Sequence, residues 1–172
     1  YLKKVQIEYN ILRKKYLRFK SNPVIFKHLY LRQKQIPGKV LPDRLVLGNP
    51  EAPVRINAFL SLYCQPCAKA FDSLAAILKE TDEIQINLII SGNNNLRSNS
   101  FIEKVYQGCK NCEHDKAIDL ISGWYKNLKN YSANRTDTDN YESDNNQILK
   151  DNQILFKEFR IKGKPTLIIG KR

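Results

Sequence analysis

Four cysteines carry the most specific chemistry in this 172-residue sequence, in two Cys-x-x-Cys pairs: Cys64-Gln65-Pro66-Cys67 and Cys109-Lys110-Asn111-Cys112. Two thiols at this spacing can close a disulfide, exchange it with another molecule, or form half of a zinc site. The first pair has the sharper context. Val54, Ile56, Ala58 and Leu60 alternate just before it, and Phe71, Leu74, Ala75 and Leu78 form a helical stripe just after it. The pair is therefore expected between a strand and the N-terminus of a helix. A thiol there faces unpaired backbone N–H groups and the positive end of the helix dipole, which favour a thiolate. The two-residue spacer lets the second thiol reach back and resolve a mixed disulfide. Pro66 fits the first helical turn, where its missing N–H costs nothing.

The second pair leaves three readings open: a local disulfide, a redox pair relaying electrons to Cys64 and Cys67, or reduced thiols or a metal site. A zinc site using all four cysteines needs a 41-residue gap between pairs, long for a zinc module, and would consume the redox thiols. No metal site is expected. Only His28 and His114 are present, and neither is a convincing partner for a cysteine nucleophile, which argues against a cysteine hydrolase. Disulfide chemistry requires no cofactor, since the electrons reside on the cysteines.

These residues need elements to hold them. The reading predicts strands at 54–60, 83–90 and 166–169, with Leu45–Pro53 as a Pro/Gly-marked approach. Helices are expected at 68–79, 101–107, 113–128 and 147–159, with Trp124 in the core stripe of the third. The polar stretch 132–146 is expected to be exposed. Upstream, Leu2, Val5, Tyr9, Leu12, Tyr16 and Phe19 recur at steps of three and four and predict an amphipathic helix with one buried stripe. Asn22-Pro23 then starts a second helix, as N-cap and first helical residue, running to about Gln35. Strand, Cys-x-x-Cys helix and strand make a β-α-β unit, followed by a helical block and a Pro-led strand.

Charge separates the two parts. Residues 1–44 carry 12 Lys/Arg against 2 Asp/Glu, whereas residues 45–172 carry 17 against 15. A basic helical segment suits an anionic membrane surface, nucleic acid, or simply water. A buried aromatic stripe is no stacking surface, which counts against nucleic acid. No apolar run reaches the ~18 residues that span a bilayer. The sequence contains no Met and no signal peptide, so an export signal or anchor is expected outside it.

Gly48-Asn49-Pro50-Glu51-Ala52-Pro53-Val54, Phe59, Cys64-Gln65-Pro66-Cys67 and Pro165-Thr166-Leu167 together resemble the DsbA-like branch of the thioredoxin superfamily over residues 45–172. The narrower likeness is to the thioredoxin-like domain associated with bacterial vitamin K epoxide reductase-type membrane proteins. The resemblance implies an α/β thioredoxin-like fold with a helical insertion at about 95–160 and residues 1–44 as an N-terminal helical extension. It implies Cys64 as nucleophile, Cys67 as resolving thiol, and Pro165 as a cis-proline beside them. Tyr63, Gln65, Pro66, Lys164 and Thr166 would complete the active-site loop, with the backbone at Lys164 pairing an extended peptide.

Two departures stand out. Many relatives carry a buried acid six residues before the first cysteine, where this chain has Ala58. Lys164 precedes the proline where an apolar residue is usual, and its ammonium is expected either near Cys64, stabilising the thiolate, or in solvent. The expected function is thiol-disulfide exchange with protein or peptide substrates in the bacterial periplasm. The domain would be membrane-tethered, coupled to a membrane redox partner, and oxidising rather than reducing. The competing reading is a non-enzymatic binding module with structural disulfides and a basic arm.

Overall fold

A computed structural model describes residues 2–20, 22–33, 41–92, 96–110, 114–128 and 147–171. The chain divides into two compact units, residues 1–40 and 41–172.

In the larger unit the alternation before Cys64 becomes strand β2 (Val54–Ser61), and the second apolar run becomes β3 (Ile84–Ser91). The two are parallel, in register from Val54 opposite Ile84 to Ser61 opposite Ser91. Their side chains serve two cores. Ile56, Ala58, Leu60, Ile86, Leu88 and Ile90 face one cluster, while Phe59 and Ile89 face the other. Burial on both faces explains why β3 is apolar at 86 and 88–90, with only Asn87 between them.

The helix α3 (Gln65–Glu80) connects them and packs Cys67, Phe71, Leu74 and Ala75 into the first core. That core is completed by α4 (Leu96–Lys110) and α5 (His114–Lys126), including Ile102, Val105, Ile121 and Trp124. On the other face, α6 (Gln147–Glu158) contributes Leu155, and Phe156 meets the Phe59 ring edge-on at 5.1 Å. Strand β4 (Thr166–Lys171) runs antiparallel to β2.

Leu45–Gly48, expected as an irregular approach, is a strand, β1, antiparallel to β3. The sheet order is thus β1-β3-β2-β4. Four residues are too few to show a period; they become a strand because β3 offers an edge. Buried Asn87 holds the incoming chain, accepting from the Arg44 N–H at 2.8 Å and donating to the Pro42 carbonyl at 3.0 Å. Gly48 ends β1 at φ +89°, where an added Cβ would lie 2.7 Å from Leu78 and 2.8 Å from the Ile84 carbonyl. Only glycine fits both the backbone and the space.

The smaller unit contains α1 (Leu2–Lys20) and α2 (Pro23–Leu31). Asn22 caps the second as expected, its side chain accepting from the N–H groups of Val24 at 2.9 Å and Ile25 at 3.3 Å. This helix stops at Leu31, short of Gln35, with Arg32 as its C-cap. The stripe expected to be buried is exposed: Val5 48%, Tyr9 58%, Leu12 68%, Tyr16 59% and Phe19 57%. Within this unit, the described residues form two helices and no second layer to receive it. Among the described residues no helix is long and apolar enough to cross a membrane. The polar stretch 132–146 lies outside the described residues.

Candidate active site

The end of β2 delivers the chain to the first cysteine pair. The Leu62 N–H donates to the Ser91 carbonyl at 3.0 Å, extending the β2–β3 ladder by one step. Two aromatic side chains of α5 then tie down this exit. Trp124 Nε1 donates to the Leu62 carbonyl at 2.8 Å, and the Tyr125 hydroxyl donates to the Ser61 carbonyl at 3.1 Å. Tyr63 turns outward, its ring edge-on to Trp124 at 5.8 Å and its hydroxyl 2.9 Å from Ser98 Oγ. Trp124 is a core residue, as its stripe predicts, and it also anchors the site.

Cys64 is the N-cap of α3, in extended backbone at φ −122° and ψ 112°. Its Sγ accepts the Cys67 N–H at 3.2 Å. Such a bond strengthens when the acceptor is charged. Gln65 and Pro66 form the exposed first turn. Cys64 is half-buried and Cys67 is fully buried, and both are free thiols. Burial, and a hydrogen bond to Cys64, push the Cys67 thiol up to about 12, against opposing pulls from the Ser61 backbone and the Lys164 charge.

The distant Lys164-Pro165 segment comes to the same place. Its peptide bond is cis, and the Lys164 carbonyl lies 3.7 Å from Cys64 Sγ. Thr166 follows as the first residue of β4, opposite Phe59, and its hydroxyl donates to the Gly163 carbonyl at 2.6 Å. The structure thus gathers Tyr63, Cys64, Gln65, Pro66, Cys67, Lys164, Pro165 and Thr166 at the C-terminal ends of β2 and β3.

Lys164 is exposed as a residue, but its end is held in place. Its ammonium donates to Ser91 Oγ at 2.9 Å and lies 4.8 Å from the centre of the Phe156 ring. Its charge favours the Cys67 thiolate. Ala58, at the position of the expected acid, is completely buried between apolar neighbours. Of the second cysteine pair, Cys112 lies outside the described residues, and only the backbone of Cys109, in α4, is described. Among the described residues, no group of three or more His, Cys, Asp or Glu side chains is placed to hold a metal ion. A cleft of about 570 Å³ beside Phe101, Leu120 and Trp124 includes neither Cys64 nor Cys67 in its lining.

Sequence reasoning missed Ser91, Ser98 and Tyr125. Ser91 had one usable signal: a polar residue closing an apolar parallel strand, the end at which sheets of this class assemble their sites.

No curated protein matches the chain. Among solved structures it is similar to α-DsbA1 of Wolbachia pipientis, with a TM-score of 0.54 and 14% identity over 77% of each chain. It is also similar to the thiol-disulfide exchange protein α-DsbA2 of the same organism, with a TM-score of 0.52 and 17% identity over 74% of this chain and 76% of that one. A conserved protein of unknown function from Enterococcus faecalis V583 gives a TM-score of 0.52 and 17% identity, covering 74% of this chain and 79% of its own. These likenesses establish a DsbA-like thioredoxin fold with a helical insertion. The family described as Thioredoxin matches residues 41–172, and the chain belongs to it.

Proposed function

We propose that this chain is a protein thiol-disulfide oxidoreductase, with Cys64 as the exchanging thiol and Cys67 as its resolving partner. The observation that carries the reading is the convergence on one sulfur. Cys64 Sγ accepts a helix N-terminal N–H at 3.2 Å and sits 3.7 Å from the carbonyl of the cis Lys164–Pro165 segment. An extended peptide bonding to that segment would bring its own sulfur to Cys64.

In the oxidising direction, a substrate thiolate attacks Cys64 of the Cys64–Cys67 disulfide. Cys67 leaves as a thiolate and takes a proton. A second substrate thiolate then attacks the substrate sulfur of the mixed disulfide, and Cys64 leaves. The substrate loses two electrons and two protons, which the cysteine pair gains; no cofactor enters. Oxidation is the proposed direction. A membrane redox partner would return the pair to the disulfide in an extracytoplasmic compartment such as the periplasm. The basic residues 1–44, with their exposed apolar stripe, suit a tether at an anionic membrane surface better than nucleic acid, because burying the stripe in an interface adds to the charge attraction.

The test compares wild type with Cys64→Ser in oxidation of a dithiol peptide and reduction of a peptide disulfide. Turnover by wild type and background rates for the variant are expected. Equal rates would support a binding module with structural disulfides instead.

A further inference from the structure

We propose that Lys164 is a positioning residue for the resolving step: its ammonium supplies the positive charge that carries buried Cys67 through its thiolate form. This rests on the oxidoreductase reading above and identifies the group that works where an acid is absent.

The need follows from burial. Cys67 is fully enclosed, yet it must pass through a thiolate whichever way exchange runs. In reduction it loses its proton and attacks Cys64, releasing the substrate thiolate. In oxidation it is the leaving group when a substrate thiolate attacks Cys64, and it takes its proton afterwards. An apolar enclosure penalises that charge in both directions. Ala58 can neither move the proton nor carry charge.

Geometry supplies a charge from another strand. Ser61 and Ser91 face each other at the ends of β2 and β3. The Ser61 backbone bonds to Cys67. Ser91 accepts the Lys164 ammonium at 2.9 Å and directs its own hydroxyl to the Leu60 carbonyl at 3.2 Å. The Phe156 ring, 4.8 Å from the ammonium, adds the attraction of its π face. Ser91 and Phe156 thus hold the end of an exposed lysine, and its charge acts on Cys67 in the direction that favours the thiolate. The other titratable groups facing this thiol among the described residues are Cys64 on α3 and Tyr125 on α5, and neither brings a positive charge.

Stopped-flow kinetics of the reduced full chain with a fluorescent peptide disulfide would separate the two steps. Formation of the Cys64 adduct is read alone in a Cys67→Ser background, and peptide release is read with Cys67 present, from pH 6 to 10. In Lys164→Met the ratio of release to formation should fall about tenfold, and the alkaline rise of release should move to higher pH. Lys164→Arg should restore the ratio to within about threefold of wild type, because it keeps the charge. An unchanged ratio in Lys164→Met, or an arginine that fails to restore it, overturns the proposal. Should Lys164→Met not fold, Ser91→Ala tests the same link by freeing the ammonium: a severalfold fall supports it, and no change overturns it. A wild type that forms no adduct removes the oxidoreductase reading as well, whereas an adduct with an unchanged ratio removes only the role of Lys164.

Discussion

Helices α3 and α1 carry the same kind of apolar stripe and end in opposite physical states. Phe71, Leu74 and Ala75 of α3 are buried against a sheet with α5 beside them. Val5, Tyr9, Leu12, Tyr16 and Phe19 of α1 are about half to two-thirds exposed. A helical period assigns a face; only a second layer turns the face into a core. The contrast also separates two uses of sequence. In residues 41–172 apolar residues hold a site together, whereas the described residues of the two N-terminal helices leave their apolar side chains exposed.

The comparison breaks most visibly at Phe59, which is fully buried with Phe156 against it. Phe59→Ala should cost about 3–5 kcal/mol in urea unfolding of the chain. A loss below about 1 kcal/mol would mean that the second core is not packed as described.

A smaller effect should come from pH. The folded Cys67 thiol, pushed to about 12 by burial, lies above its ordinary value of 9.0. The folded state then holds a proton that the unfolded chain releases. Its stabilisation is complete below pH 9 and is lost as pH rises through the folded value, at roughly 1 kcal/mol per pH step. The buried Tyr125 hydroxyl, raised chiefly by burial, adds the same trend at higher pH. The reduced protein should therefore lose stability between about pH 9 and 12 more steeply than Cys67→Ser. Parallel curves would deny the raised thiol.

The smallest effect belongs to α1. Tyr16→Ala, at an exposed position, should change urea unfolding of the chain by less than about 0.5 kcal/mol. A change above about 1 kcal/mol would show that the stripe is a core after all.

The site was legible where local chemistry decides it. The Cys-x-x-Cys pair, the Pro at the helix start, the flanking strands and the proline far downstream each left a readable residue. What stayed hidden depends on partners distant in sequence. Leu45–Gly48 forms a strand only because β3 accepts it, and four residues show no period of their own. Helix α4 begins at Leu96 rather than Phe101, because tertiary packing extends a helix through Ser and Asn that propensity disfavours. The direction of the Lys164 side chain is set by Ser91 and Phe156, which no spacing connects to it.

The central claim, that Cys64 is the thiol that exchanges, is tested most directly by trapping. Reduced Cys67→Ser should be incubated with a peptide disulfide and the adduct mapped by mass spectrometry. The account predicts one stable mixed disulfide on Cys64. No adduct there, or an adduct confined to Cys109 or Cys112, would contradict it.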